Sequence, residues 1–159
     1  NLQQAIEVSV QVHYLDSESS SEEERYAFAY TITISNRGVV PSQLLNRRWI
    51  ITDGRGEVQE VAGPGVVGQQ PRLSSGEQFT YTSGAVLKTP VGTMEGTYQF
   101  CIDSGELFDV PIPVFSLCFR HLASRPMPPP SRFFAFFGFY ENSNFSTFNK
   151  NLNLSLIHI

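Results

Sequence analysis

Apolar and polar residues alternate along most of the first 118 positions. Ile6, Val8, Val10, Val12 and Tyr14 fall on one side of an extended chain. Tyr26, Phe28, Tyr30, Ile32 and Ile34 do the same, with Ala27, Ala29, Thr31 and Thr33 on the other side. A period of two is what a sheet with one buried face requires. The pattern predicts further strands over Gln43–Thr52, with Trp49 and Ile51 in phase, and over Val58–Val61, Glu77–Ser83, Gly96–Asp103 and Leu107–Phe115. In the last of these Val110, Ile112 and Val114 share a face, and Pro111 and Pro113 take the other. Proline cannot donate to a ladder, so that strand is expected at a sheet edge. Asp53–Gly56 and Asp103–Glu106 supply turn residues. The acidic, serine-rich segment Asp16–Glu24 reads as a mobile surface loop.

Seven short strands with no 3.6-residue period predict an all-β domain over residues 1–118. The expected architecture is two packed antiparallel sheets, a fibronectin type III or immunoglobulin-like β-sandwich. The Cys–Trp–Cys order of immunoglobulin cores is missing, because Trp49 precedes both Cys101 and Cys118. Residues 119–159 are different material. Seven of the thirteen phenylalanines follow residue 121, beside MPPP and an Asn-rich stretch. This segment reads as a non-native or disordered Phe-rich tail, and the fold is expected to unfold cooperatively without residues 122–159.

Charge narrows the partners. Residues 1–118 carry 7 Lys/Arg and 14 Asp/Glu, a balance of −7, whereas residues 119–159 carry 4 and 1, a balance of +3. An acidic body argues against nucleic acid, which needs positive charge against its phosphates, and against an anionic membrane surface. The first residues, NLQQAIEVSV, lack a basic segment followed by an apolar one. The expectation is a cytoplasmic protein with buried, reduced cysteines.

The segment Gly63–Gly68, GPGVVG, fits the spacing G-x-G-x-x-G. A dinucleotide fingerprint needs a helix opening directly after it, and none of adequate length follows. Gly63, Gly65 and Gly68 could still align amides around an anion, with Arg72, Arg47 and Arg48 nearby. Those six residues form the candidate ligand site, for a phosphate- or pyrophosphate-containing molecule. The alternative is a tight inter-strand loop whose Val66 and Val67 plug the sandwich. A second candidate site is a protein-binding patch of Arg48, Trp49, Tyr26 and Tyr81, because Trp, Tyr and Arg dominate contact hot spots. The same aromatic residues could instead pack in the core, phenol oxygens at its rim.

Metal and catalytic chemistry find little support. The acidic residues Asp16, Glu18, Glu22, Glu23 and Glu24 lie on one loop with only His13 near it, so no metal site and no cofactor are expected. No Ser–His–acid arrangement can be placed, since His13 is the only histidine before residue 119. Asp53, Asp103 and Asp109 could meet at one end, although turn chemistry already explains the first two. The expectation is a non-enzyme, with an enzyme acting on a phosphorylated substrate as the distant alternative.

Several local runs resemble the ApaG (DUF525) domain family. They are ERYAFAYTI from Glu24, LLNRRWII over Leu44–Ile51, EVAGPGVVGQQP over Glu60–Pro71, YTSG from Tyr81, GTMEGTY from Gly92 and IPVF from Ile112. The resemblance covers about residues 3–118 and implies a fibronectin type III-like sandwich. It also implies a module that works through protein contact, linked in bacteria to cobalt and magnesium resistance or efflux without an assigned chemistry. Arg48 departs from the family, whose members often carry His or Tyr there. A protein partner is therefore expected, with a homodimer possible through an unpaired strand edge.

Overall fold

The computed structural model describes residues 1–119. A short helix α1 (Leu2–Ala5) leads into eight strands: β1 (Ile6–Tyr14), β2 (Tyr26–Asn36), β3 (Ser42–Asp53), β4 (Val58–Pro64), β5 (Arg72–Leu73), β6 (Gln78–Leu87), β7 (Val91–Ile102) and β8 (Leu107–Cys118). All pairings are antiparallel. One sheet has the order β1-β2-β6 and the other β4-β3-β7-β8, with β5 also paired to β3. The expected two-sheet sandwich is what forms. The strands generally run longer than alternation suggested, and the two-residue β5 was not anticipated.

Phe28, Tyr30, Ile32 and Ile34 of β2 lie fully buried against Leu44, Trp49, Met94, Tyr98 and Phe100 of the facing sheet. Trp49 is the hub of this layer. Its ring meets Tyr30 at 5.6 Å, Phe115 at 5.8 Å and Tyr98 at 6.3 Å, each edge to face. Such geometry adds to the burial of the rings themselves. Tyr81 and Tyr98, one from each sheet, share a buried hydrogen bond between their hydroxyls. Their phenol oxygens therefore lie inside the core and not at its rim. Burial pushes the Tyr98 pKa well above the ordinary phenol value.

Two bulges set which residues point inward. Leu44 pairs with Phe100 and Asn46 with Gln99, which leaves Leu45 as an extra residue in β3. Ser42 and Leu44 are buried before the bulge, and Arg47, Trp49 and Ile51 after it. The second bulge lies between the pairs Met94–Phe115 and Gly96–Ile112. It opposes Pro113 and Val114 to Glu95 alone. The inward phase consequently passes from Val110 and Ile112 to Phe115 and Leu117, and Val114 is 61% exposed. The expected Val110–Ile112–Val114 face holds only for its first two members.

The segment between β1 and β2 has more order than a mobile loop. Asp16–Glu18 form a 3-10 turn, and Ser20 and Arg25 exchange backbone hydrogen bonds. Ser19 Oγ accepts from Ala27 N and donates to Leu15 O. Serine thus acts here as backbone glue as well as surface. Both cysteines are free thiols. Cys101 is half-buried and Cys118 exposed, so the expected burial is not found, and they sit at opposite ends of the β7–β8 ladder. Reading residues 119–159 as a separate tail concerns, apart from Phe119, residues outside those described. Phe119 N donates to Pro90 O, and its ring meets Tyr14 at 5.7 Å.

Trp49→Ala should cost about 3–5 kcal/mol of unfolding free energy, as expected for truncating a fully buried large aromatic residue. Urea unfolding followed by tyrosine fluorescence or circular dichroism measures it. A loss below about 1 kcal/mol would show that Trp49 is not the packing hub.

Candidate functional site

The glycine loop closes the end of β4. Val66 and Gln69 exchange both backbone hydrogen bonds across Val67 and Gly68. Val67 (φ 44°) and Gly68 (φ 77°) are both left-handed, as a two-residue type I′ turn requires. That conformation is strained for β-branched Val67. Its side chain packs against the core beside buried Val66, which offsets the strain. Gly65 combines φ 66° with a tight fit, because a Cβ there would stand 2.4 Å from Gln69 O. A Cβ on Gly63 would stand 3.1 Å from Arg47 Nη1. The spacing of glycines thus has a local structural cause.

The anion nest expected from this loop is not met. Gly65 N donates to Leu45 O, Val66 N to Gln69 O and Gln69 N to Val66 O, so these amides are spent within the fold. The three arginines are separated too. Arg47 faces inward, is 7% exposed, and its Nη1 donates to Pro64 O at 2.9 Å and Gly65 O at 3.2 Å. It clamps the loop through carbonyls. Arg48, next in the strand, points outward and pairs with Glu60 at 2.7 Å. Hydrogen bonding to Glu60 raises the Arg48 pKa. Arg72 pairs with Asp103 at 2.8 Å.

The candidate protein-binding patch also comes apart. Trp49 and Tyr81 are buried in the core, Tyr26 is half-buried, and only Arg48 is exposed. Tyr26 pairs with Leu87 in one sheet, whereas Arg48 lies in the other. Alternation cannot distinguish an inward Trp from an outward one when a bulge intervenes. Asp53 and Asp103 sit at opposite ends of β7, beside Gly92 and Ile102. Among the described residues no three His, Cys, Asp or Glu side chains are placed to hold a metal ion. No helix among them is long and apolar enough to cross a membrane.

Sequence reasoning missed one open feature of the molecule. A cleft of about 600 Å³ lies between the start of β4, the end of β6 and the turn before β2. Glu23, Glu57, Val58, Gln59, Val86 and Lys88 are among its walls. Gln59 opposes Ile51 and so shares the inward face of the sheet, yet it is exposed. Nothing among the described residues covers that position. A polar residue in an inward register was the one available signal.

These features define a small two-sheet β-sandwich with a full core and, among the described residues, an unpaired strand edge at β4. The family model for DUF525, the ApaG domain, matches residues 16–101. Protein ApaG of Acidithiobacillus ferrooxidans is 58% identical over 112 residues, covering 70% of this chain and 88% of that protein. Protein ApaG of Pseudomonas aeruginosa is 56% identical over 115 residues, covering 72% and 91%. A crystal structure of an ApaA protein from Bordetella pertussis superposes with a TM-score of 0.70 at 51% identity, over 71% of this chain and 92% of that one. A further X-ray structure from structural genomics gives 0.72 at 43% identity, over 81% and 98%. The chain belongs to the ApaG domain family.

Arg47→Ala should cost about 2–4 kcal/mol, because the Pro64 and Gly65 carbonyls lose a buried, charged donor. Gly65→Val should be at least as damaging, whereas Arg48→Ala should leave the denaturation midpoint unchanged within error. Equal effects at Arg47 and Arg48 would contradict the clamp. Acid pH provides a separate check. Partial burial lowers the His13 pKa from its ordinary 6.5. The unfolded chain therefore takes up this proton first. The His13 contribution is complete above about pH 6.5 and is lost as pH falls toward the lowered folded value. His13→Gln should reduce the decline in urea midpoint between about pH 7 and pH 5, relative to the parent chain.

Proposed function

We propose that this domain is a non-catalytic protein-contact module. The observation that carries this reading is the uncovered inner face of β4, with Gln59 exposed in the register of buried Ile51. A sandwich that only had to be stable would place a strand or an apolar side chain over that row. The chemistry-bearing side chains point the same way. The arginines of the glycine loop are held in structural or surface pairs, and the acidic residues do not converge on one point. A role in cobalt or magnesium homeostasis, as the family resemblance implies, would run through a partner that handles the ion.

Two measurements test the reading. A photo-crosslinking residue at Gln59 of the full chain, expressed in a host carrying the relatives' partners, should capture a specific protein. The same residue at Thr33, on the polar outer face of the other sheet, should not. Capture at neither position, or equally at both, removes the proposal. Equilibrium dialysis of the purified chain against Co²⁺ or Mg²⁺ should show no stoichiometric uptake. One tightly held ion per chain would replace contact with direct metal handling.

A further inference from the structure

The backbone of β4 offers a docking ladder. Antiparallel neighbours alternate between pairs that exchange hydrogen bonds and pairs that direct their N–H and C=O groups away. At one end of the β3–β4 ladder Asp53 N donates to Glu57 O, and at the other Gly65 N donates to Leu45 O. Counting inward by twos from either end gives the same answer. Gln59, Val61 and Gly63 bond to β3, while Val58, Glu60 and Ala62 aim their backbone groups at the free side. β4 is the last strand of its sheet, so no strand among the described residues takes up those groups. Arg47 and Pro64 close the far end of this edge, since Arg47 Nη1 occupies Pro64 O and Pro64 has no N–H.

The near end of the same edge opens into the cleft. Four carboxylates line it, those of Glu23, Glu24, Asp53 and Glu57, against the two cations Arg25 and Lys88. That is an excess of two negative charges. Glu24 is further engaged by Arg55, and Asp53 Oδ1 accepts from Arg55 N and Glu57 N. Glu23 and Glu57 are left as the carboxylates facing an incoming cation.

We propose that β4 binds an extended segment of a partner protein by strand addition. Three positions, Val58, Glu60 and Ala62, supply the backbone bonds. The segment's alternate side chains cover the inner row of Gln59 and Val61, and a Lys or Arg at its Glu57 end meets Glu57 and Glu23. Main-chain bonds of this kind give affinity and the side-chain row gives choice. This rests on the contact reading above and adds the site and the chemistry of the partner. A second copy of this chain is the poorer occupant. The antiparallel register that pairs all three free positions of two β4 strands places Glu60 directly opposite Glu60. Like charges in that arrangement are unfavourable.

A nine-residue random-peptide display library selected on the immobilised full chain tests the proposal. The expected consensus alternates β-branched residues and carries Lys or Arg toward one end. The consensus peptide, labelled and titrated by fluorescence anisotropy, should bind Ala62→Pro at least about tenfold more weakly. Ala62 N–H is not used by β3, so this variant should keep the near-ultraviolet dichroism of the parent. Should it unfold, Glu57→Lys decides, since it should bind better when the consensus Lys or Arg is replaced by Glu. Hydrogen exchange should slow at the Val58, Glu60 and Ala62 amides only when peptide is present.

No enriched peptide, equal binding to folded Ala62→Pro, or no charge dependence at residue 57 would overturn the proposal. So would concentration-dependent protection of the same amides without peptide, which would identify a dimer. A partner crosslinked at Gln59 whose capture is unaffected by Ala62→Pro would leave the contact module standing and remove strand addition alone.

Discussion

One inserted residue, Leu45, decides what the larger sheet can do. Without it the alternation begun by Ser42 and Leu44 would carry Asn46, Arg48 and Ile50 inward. With it Arg47, Trp49 and Ile51 turn inward instead. Trp49 then reaches Tyr30, Tyr98 and Phe115 across and along the core. Arg47 reaches under β4 to hold Pro64 and Gly65. The bulge residue also receives the loop directly, because Leu45 O accepts from Gly65 N and from Gln70 Nε2. Core, clamp and loop are three consequences of one change of phase.

The same geometry explains why one side of the sandwich stays open. β1 and α1 lie against β8 and close the opposite side. Among the described residues the other sheet has three strands, and β4 lies at the edge of its sheet with its inner face partly exposed. Covering a buried face completely stabilises a small domain, and leaving a row uncovered forgoes that gain. The strain accepted at Val67 and the buried charge at Arg47 both act at this end of β4. They hold the last residues of the strand in register, so that the free backbone groups before them keep a fixed direction.

Alternation made the strands legible, because a half-buried sheet imposes its period on the sequence. Phe28, Tyr30, Ile32 and Ile34 could be placed inward for that reason alone. Phase across a bulge could not be read, which is why Val114 falls on the outside and why Arg47 and Arg48, adjacent in sequence, have opposite fates. Trp49 as a surface anchor failed on burial. The GPGVVG segment was legible as a turn but not as a particular one, since glycine spacing does not say whether the amides face a ligand or each other. The cleft was hidden for a different reason. It is made by the start of β4, the end of β6 and the segment before β2, and only the tertiary fold brings these together.

The edges at β8, β1 and β4 are protected in different ways. An exposed strand edge invites pairing with any other, and proteins blunt it with prolines, charges or cover. β8 carries Pro111 and Pro113, and β1 is set against β8. β4 has Pro64 only at its end, and at its middle Glu60, neutralised in part by Arg48 on the neighbouring strand. Glu60 disfavours the symmetric pairing of two copies without removing a backbone group. A proline there would block every partner; a carboxylate discriminates among them by charge. Under the strand-addition proposal, the device at β4 is one that disfavours a second copy and still admits a basic extended chain.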